Sequence, residues 1–443
     1  MKKLTQVEFK ERRDRLAELM GPHSIAIIAT SPVAMRNRDA DYKYRTDSSF
    51  FYLTGFAEPE AVAVIETYES IDEGYTYSLF CRERNREMEI WNGYRAGIDG
   101  AIEQYEADEA YAIDLLDEEI LEKLLDKDQL FYRIGQNAEF DARVAKWIAA
   151  ANGESRRRGT SAPAQVVQLD RLVDEMRLHK DTKELELMQI AADISAEAHT
   201  RAMQTVRPGM MEYALEAELN YVFGRNGCVP SYNSIVGGGE NACILHYVEN
   251  DKELKDGDLV LIDAACEYQF YASDITRTFP VNGKFSPEQK ALYNLVLDAQ
   301  IAAINAVQIG NSYKEPHHVA VRILVQGLLD LGIMQGDLDE IIASESYRQF
   351  YMHGTGHWLG MDVHDVGTYK VDGEWRVYEA GMVVTVEPGL YIAPDDETVD
   401  PKWRGIGIRI EDDIVATKNG PLNLTAKVVK TVDEIEALMA AAQ

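Results

Sequence analysis

The segment LVLIDAACEYQFYASDITRTFPV, residues 259–281, contains two apolar, β-rich runs on either side of a short polar stretch. This pattern predicts an antiparallel hairpin. A turn centred between Tyr268 and Gln269 would place Asp263 directly opposite Asp274. Directly opposed side chains have Cβ atoms about 5 Å apart, so two carboxylates at these positions repel each other. Either both are solvated on an exposed face, or a pair of cations lies between them, as in two-metal hydrolytic sites.

The composition is that of a globular protein with a strong negative charge. The chain has 443 residues, of which 46% are hydrophobic and 27% charged, and its formal net charge is −30. A phosphate backbone is bound by a basic surface, so this charge argues against a nucleic-acid partner. No run approaches the roughly 18 apolar residues that span a bilayer, and the N-terminal segment is charged and amphipathic rather than signal-like. We therefore expect no membrane partner and a cytoplasmic location.

The first part of the chain has the pattern of an α/β domain with a central mixed sheet. Apolar runs predict strands at 24–30, 50–56, 61–67, 76–82 and 129–134. Helical periodicity occurs at 6–20, 118–125 and 138–151. No Gly-rich phosphate loop follows any of the predicted strands, so a nucleotide-binding role has no support.

A polar stretch at residues 152–163 indicates a domain boundary just beyond it. We predict one domain at 1–173 and a second at 174–443. In the second domain, Asp181 and Glu184 have the spacing of a capping box at the start of a long helix. Ser286, followed by Pro, Glu and Gln, predicts another helix start. Helices alternate with paired strands through this domain.

Three histidines lie within twelve residues in the segment HGTGHWLGMDVHD, residues 353–365, of a chain that has nine. They are His353, His357 and His364. A Gly-rich segment is a poor helix, so we expect these side chains on a loop or strand edge, where the backbone can approach a ligand closely. This density makes ordinary core packing the less favoured explanation.

Two glutamates follow very apolar strands further along the chain. Glu387 follows MVVTV, and Glu411 follows GIGIRI, in which the isoleucines alternate and leave Arg409 and Glu411 on the other face. A buried carboxylate without a partner is too costly to keep ionised, so each glutamate should meet a cation or a donor. Such an oxygen-rich donor set suits Mn²⁺, with Co²⁺ or Zn²⁺ as alternatives. The candidate ligands are Asp263, Asp274, His357, Glu387 and Glu411.

These residues, in this order, resemble those of the dinuclear metallopeptidases of the pita-bread fold, and most closely the bacterial aminopeptidase P family. The segments DSSFFYLTGFAEPEAV and EIWNGYRAG look like the N-terminal domain of that family. PSYNSIVGGGENACILHY, HGTGHWLGMDVHDVG, TVEPGLYI and RGIGIRIEDD look like its catalytic domain. The resemblance covers nearly the whole chain. It implies an α/β (α+β) protein in which an N-terminal α/β domain precedes a C-terminal pita-bread domain that holds two divalent ions.

The resemblance also implies a role for each predicted ligand. Asp263 would bind one ion through both oxygens, while Asp274 and Glu411 would bridge the two ions. His357 and Glu387 would complete the coordination of the other ion. Glu387 would in addition act as the general base of the reaction.

Further residues match positions that surround the metals in this family. His246, His353 and His364 match its substrate-binding and transition-state histidines. Arg409 and Tyr391 match the network that supports the ligands. Tyr232 and Trp91 are candidate substrate contacts, although an isolated Trp is more often simple packing.

The implied activity is release of the N-terminal residue from peptides that have proline in the second position, by attack of a metal-bridging hydroxide. One alternative is a prolidase, which has the same metals but cleaves only dipeptides. A less favoured alternative is a non-catalytic pita-bread protein that binds without cleaving. The resemblance further implies a homotetramer or dimer assembled through the N-terminal domain, which would also shape the substrate entrance.

Overall fold

The computed structural model of the chain describes residues 3–70 and 73–442. The chain divides into two compact units, residues 1–175 and 176–443. Within the described residues, no helix is both long enough and apolar enough to cross a membrane.

The first unit is built on a six-stranded sheet. The strands of this unit, including two outside the sheet, are β1 (Ser24–Ala29), β2 (Met35–Asn37), β3 (Ala40–Asp41), β4 (Val62–Thr67), β5 (Tyr75–Cys81), β6 (Glu109–Ala112), β7 (Gln129–Tyr132) and β8 (Gln165–Gln168). The helices are α1 (Gln6–Met20), α2 (Ser48–Thr54), α3 (Arg86–Asn92), α4 (Gly97–Glu103), α5 (Leu116–Leu124), α6 (Ala138–Arg158) and α7 (Asp170–Leu178), which runs across the division. The sheet order is β6-β5-β4-β1-β7-β8, with β2 and β3 as a separate hairpin. Parallel and antiparallel pairs both occur, which confirms the predicted mixed sheet.

The core of the first unit lies between its sheet and two helices. Alternate residues of β1 and β4, such as Ile25, Ile27 and Val64, pack with Leu124 of α5 and Trp147 of α6. The alternation follows from the pleat, which turns every second side chain to the same face. This packing explains why the apolar periodicity of both strands and both helices was readable from the sequence.

The predicted strand at 50–56 is wrong, because these residues form the helix α2. Asp47 caps this helix by accepting a hydrogen bond from the backbone N–H of Phe50, and Gly55 ends it with a φ of 67°. A short apolar run does not by itself distinguish a strand from a buried helix. The polar stretch at 152–163 was expected to lie between elements, but its first residues are helical. Helix α6 continues to Arg158, so the break in the chain begins later than predicted.

The described part of the second unit contains several small sheets and six further α-helices. Its strands are β9 (Val229–Pro230), β10 (Ile235–Gly238), β11 (Leu259–Asp263), β12 (Cys266–Tyr268), β13 (Tyr271–Ala272), β14 (Thr276–Pro280), β15 (Lys370–Val371), β16 (Glu374–Trp375), β17 (Val383–Val386), β18 (Gly389–Ile392), β19 (Ile406–Arg409), β20 (Asp412–Thr417) and β21 (Gly420–Asn423). The helices are α8 (Thr182–Thr205), α9 (Glu212–Arg225), α10 (Pro287–Ala306), α11 (Glu315–Asp330), α12 (Leu338–Ala343) and α13 (Val432–Ala440). The sheet orders are β10-β11-β14, β13-β12-β9, β17-β20-β21, β18-β19 and β15-β16.

Two predicted helix starts are confirmed. Asp181 accepts hydrogen bonds from the backbone of Glu184, whose side chain in turn accepts from the backbone of Asp181, and this capping box opens α8. Ser286 and Gln289 form the same reciprocal arrangement at the start of α10. Each cap provides partners for N–H groups that have none inside the helix.

The hairpin of residues 259–281 forms, but its register differs from the predicted one. Asp263 pairs with Thr276 rather than with Asp274. The turn is centred between Gln269 and Phe270, which both have positive φ, at 49° and 69°. Moving the turn centre by one residue shifts the pairing by two, and a shift of two keeps every side chain on its predicted face. The two aspartates are therefore diagonal neighbours on one face.

A buried ion pair joins the hairpin to β20. Arg277 donates to Asp412 at 2.7 Å, and both side chains have 0% exposure. The same guanidinium donates to the backbone carbonyls of Thr276 and Glu411 at 2.9 and 2.6 Å. Arg277 thus connects the strand that follows Asp274 with the segment that carries Glu411.

We expect Arg277→Met to lower the free energy of unfolding by about 3–5 kcal/mol, because it leaves the buried Asp412 carboxylate without its guanidinium partner. Urea unfolding followed by tryptophan fluorescence measures the change. The control is Arg322→Met, which removes an exposed pair with Asp339 and should cost at most about 1 kcal/mol. Equal losses in the two variants would contradict the role given to Arg277.

Candidate metal centre

The four predicted carboxylate ligands lie at strand ends of the second unit. Asp263 is the last residue of β11, and Asp274 lies two positions before β14. Glu387 directly follows β17, and Glu411 lies between β19 and β20. The hairpin therefore supplies one pair of carboxylates, and the later strands supply the other.

His357 is attached to the edge of β17 by backbone hydrogen bonds. Thr385 N–H donates to the His357 carbonyl at 3.0 Å, and His357 N–H donates to the Thr385 hydroxyl at 3.1 Å. The imidazole Nε2 lies 3.4 Å from Asp274 Oδ2 and 3.8 Å from Glu387 Oε1. Nδ1 lies 3.0 Å from the Trp358 carbonyl, which can only accept, so Nδ1 carries a hydrogen. In the neutral ring this leaves the Nε2 lone pair directed at the carboxylates, as metal ligation requires.

The donor atoms are close enough to share an ion. One ligand atom from each of Asp274, His357 and Glu411 lies within 4.8 Å of the other two. Asp263 is linked to Asp274 through Tyr232, whose hydroxyl lies 2.6 Å from Asp263 Oδ1 and 2.5 Å from Asp274 Oδ1. The five predicted ligands therefore converge on one buried place.

The carboxylates perturb one another strongly. Burial first, and then the negative charges of Asp274 and Glu387, raises the pKa of Glu411 well above its usual range. Burial also raises the pKa of Asp263, and it raises that of Glu387 to about 7. Burial lowers the pKa of His357, but the hydrogen bond to Asp274 and the charge of Glu387 together raise it to about 9. Four ionised carboxylates in this place need compensating positive charge, so the donor set fits divalent cations.

Arg409 supplies part of that positive charge through a contact with Asp263. Its side chain is buried, and it donates to Asp263 Oδ2 at 2.7 Å and to the Tyr391 hydroxyl at 3.1 Å. It also donates to the Thr276 hydroxyl at 3.1 Å, and Thr276 donates onward to Glu411 at 2.6 Å. The predicted network of Arg409 and Tyr391 is thus extended by Thr276. Strand alternation from Asp274 could have identified this threonine on the same face.

Comparison with known proteins identifies the family. The family model "Metallopeptidase family M24" matches residues 186–418, and "Aminopeptidase P, N-terminal domain" matches residues 9–132. The Xaa-Pro aminopeptidase of Escherichia coli (strain K12) is 49% identical over 445 residues, covering 100% of both chains. The structure of Pseudomonas aeruginosa aminopeptidase PepP is 54% identical and has a TM-score of 0.97 over 100% of this chain and 99% of that one. The structure of Zn-substituted E. coli aminopeptidase P in complex with product has a TM-score of 0.96 at 48% identity, covering 100% of both chains.

The chain belongs to the bacterial aminopeptidase P family of M24 metallopeptidases. This membership confirms the family and the pita-bread fold expected from the sequence. It also makes the chain a metallopeptidase rather than a binding scaffold.

Tyr232, a predicted substrate contact, lies between two of the predicted ligands in this member of the aminopeptidase P family. Its buried hydroxyl lies between two ligand carboxylates, where it donates to either one. Burial and the charges of Asp263 and Asp274 raise the pKa of this phenol well above its usual range, so it keeps its hydrogen. Its position orients the aspartates, and contact with substrate stays a prediction.

The three other histidines of the predicted site, His246, His353 and His364, lie near the candidate metal centre. His353 Nδ1 lies 2.7 Å from the Gly354 carbonyl, so its Nε2 accepts from the Tyr391 hydroxyl at 2.8 Å. The His364 ring packs edge-on against His357 with centroids 4.3 Å apart. Burial first, and then the nearby His357 and His246, lowers the pKa of His364, which places these imidazoles in one neighbourhood.

Trp91 lies on the short helix α3 of the first unit. Its side chain is 80% exposed, and none of the residues of this helix is buried. Simple core packing therefore does not explain this Trp, and its contact with substrate stays a prediction.

We expect Gly356→Ala to weaken metal binding about 10- to 100-fold, as changes in the support of a ligand do. A Cβ at this position would lie 1.8 Å from the Thr385 carbonyl oxygen, so the segment must move and carry His357 away from Asp274. Metal content after dialysis against graded chelator measures the effect. The control is Gly354→Ala, where a Cβ meets no atom within 4 Å, and equal metal retention in the two variants would refute the expectation.

Proposed function

We propose that this chain is a metal-dependent Xaa-Pro aminopeptidase, which releases the N-terminal residue from peptides with proline in the second position. The observation that carries the proposal is the convergence of four carboxylates from strand ends with the imidazole of His357. The similarity over the full length to proteins named Xaa-Pro aminopeptidase favours this activity over a prolidase.

Two divalent ions would be held by the five predicted ligands. Mn²⁺ is proposed first, because an oxygen-rich set with one imidazole suits it, and Co²⁺ or Zn²⁺ are possible replacements. The Zn-substituted form of E. coli aminopeptidase P supports exchange of this kind. When bound, such ions polarise a carbonyl and lower the pKa of water toward neutrality. The ligands are Asp263, Asp274, His357, Glu387 and Glu411.

Glu387 is the proposed proton carrier. Its carboxylate lies between two imidazoles, with Oε1 3.8 Å from His357 Nε2 and Oε2 3.7 Å from His353 Nδ1. A carboxylate in this place can accept the proton of the attacking water and deliver it to the leaving nitrogen. The backbone N–H of Glu387 donates to the Thr355 carbonyl at 2.8 Å. This hydrogen bond fixes the end of β17 against the segment 353–365.

The histidines are proposed to contact the substrate. The amide nitrogen of proline carries no hydrogen, so the site has to recognise the ring and the carbonyl groups on either side of it. His246 and His364 can supply donors for those carbonyls and for the oxyanion that forms during attack. The one N–H of neutral His353 is directed at the Gly354 carbonyl, so His353 would contact the substrate with its ring rather than as a donor. Burial lowers the pKa of His353 to about 3, so this ring is neutral and keeps the hydrogen bond from Tyr391.

We further propose a homotetramer or dimer assembled through the first unit, in the cytoplasm. Ile90, Trp91 and Tyr94 are 75–89% exposed on and beside α3, and such clustered apolar side chains are typical of interaction surfaces. The four cysteines are free, as is usual in a reducing compartment.

Substrate length distinguishes the aminopeptidase from the prolidase. We expect cleavage of the tripeptide Arg-Pro-Pro with release of Arg, loss of activity after chelation, and recovery when Mn²⁺ is added back. Product analysis by liquid chromatography, with the dipeptide Ala-Pro as the comparison, measures this. Cleavage of Ala-Pro alone would favour the prolidase instead, and no cleavage of either peptide by the metal-loaded protein would contradict the proposed activity.

We expect His364→Ala to lower kcat about 100-fold, the usual order for one group that stabilises a transition state, and to leave metal content unchanged. Asp274→Asn should instead abolish activity and reduce metal content, because it removes charge from the ligand set. Elemental analysis and steady-state kinetics on both variants measure the difference. Loss of metal from the His364 variant would show that this residue belongs to the ligands.

A further inference from the structure

The position of His364 depends on an irregular loop. The residue lies in a stretch that forms neither helix nor strand, and its side chain is exposed. Its ring contacts His357 edge-on, but among the described residues no hydrogen bond of its imidazole is found. The backbone around it therefore decides where the imidazole lies.

A buried cluster of charges lies directly beneath this loop. Asp365 follows His364 in the chain, and its side chain is 1% exposed. Its Oδ1 accepts from Arg177 at 2.7 Å, and its Oδ2 accepts from Lys180 at 2.8 Å. Arg177 and Lys180 are themselves only 2% and 1% exposed, and Arg177 also donates to Asp362 at 2.7 Å. We call these four charged residues the loop clamp.

The backbone folds tightly around the Asp365 carboxylate. Asp365 N–H donates to the Trp358 carbonyl at 2.9 Å, and Gly360 N–H donates to the Asp362 carbonyl at 3.1 Å. A Cβ on Gly360 would lie 2.1 Å from Asp365 Oδ2, so only glycine permits this approach. The Gly360 carbonyl accepts from Ala272 N–H at 2.8 Å, which ties the loop to the hairpin that carries Asp274.

Stability alone does not explain the clamp. Removing two or more charges from water costs several kcal/mol per ion, and apolar side chains of similar volume are often at least as stable. Charged hydrogen bonds do have direction and a fixed length, so they hold a loop that has no ladder of backbone hydrogen bonds in one conformation.

We propose that Arg177 and Lys180 are positioning residues for the peptidase reaction, which hold Asp365 and thereby set the place of the His364 imidazole beside His357. The inference rests on the proposed function, since it requires that His364 acts on the substrate. The hydrogen bonds given above join the clamp residues to one another, and none of those bonds is to a predicted metal ligand.

A double-mutant cycle with Lys180→Met and His364→Ala tests the proposal. We expect Lys180→Met alone to lower kcat on Arg-Pro-Pro about 10- to 100-fold, because small misplacements of a reacting group have effects of this size. Metal content should be unchanged. In the His364→Ala background, Lys180→Met should cause no further loss in kcat, because the residue through which it acts is gone.

Lys127→Met is the matched control. Lys127 is a buried cation of the first unit, 5% exposed, and donates to the Thr67 carbonyl at 2.9 Å beside Glu66. Its replacement should lower thermal stability to a similar degree, while kcat stays as in the wild type. A general loss of stability would instead lower the activity of both variants.

Asp362→Asn is a second clamp variant with a smaller expected effect on folding, since the Asp362 side chain is 39% exposed. If Lys180→Met does not fold, the double-mutant cycle of Asp362→Asn with His364→Ala tests the proposal in its place. We expect a severalfold loss in kcat that again disappears in the His364→Ala background. Losses that multiply in the double variants, or an unchanged kcat in both clamp variants, would overturn the proposal. If the metal-loaded wild type does not cleave Arg-Pro-Pro, the proposed function fails. If the wild type is active but the losses in kcat of the single variants multiply in the double variant, only the positioning role of the clamp is overturned.

Discussion

The mutual repulsion of four clustered carboxylates, two buried and two partly exposed, is the constraint on which the rest of the second unit depends. Asp274 and Glu411 are 5% and 2% exposed, so water cannot screen their charges. The guanidinium of Arg409 is a fixed cation close to them, and this group is directed at Asp263. Hydroxyl donors from Tyr232 and Thr276 relieve some of the remaining charge. Bound divalent cations would supply the balance, so the donor set fits a metal centre.

Three consecutive acidic residues, Glu411, Asp412 and Asp413, accept hydrogen bonds from different donors. Glu411 accepts from Thr276, whereas Asp412 accepts from Arg277 in a pair without solvent exposure. Asp413 accepts from the Ser273 hydroxyl at 2.8 Å and lies 3.2 Å from the backbone N–H of Asp274. Each of the three acids therefore has its own donors, and all three attach the strand end to the hairpin. Both halves of the ligand set are fixed by the same few contacts, so a change in either strand is transmitted to the other.

Much of this arrangement could be predicted from local sequence patterns, and the failures have physical causes. Period-two alternation placed Asp263 and Asp274 on one face, but the register was missed because the turn needs positive φ at Phe270, which is unusual for an aromatic residue. The apolar run that forms α2 resembled a strand because its length cannot separate the two structures. The pairing of Lys180 with Asp365 spans 185 positions, and no local pattern indicates it. Patterns within one element were therefore readable, whereas contacts between distant elements were not.

The two histidine-bearing parts of the segment 353–365 are held in place by different forces. Around His357, backbone and hydroxyl hydrogen bonds to Thr385 attach the chain to a strand edge, and Gly356 permits the close approach. His364 itself lies outside helix and strand, and buried charges hold its segment in place through Asp365. Backbone hydrogen bonds resist displacement only if neighbouring atoms fit, so the first part is sensitive to added volume. Charged contacts depend on the presence of both partners, so the second part is sensitive to loss of charge. A predicted metal ligand and a residue proposed to meet the substrate are in this way held by separate contacts, so each can change without displacing the other.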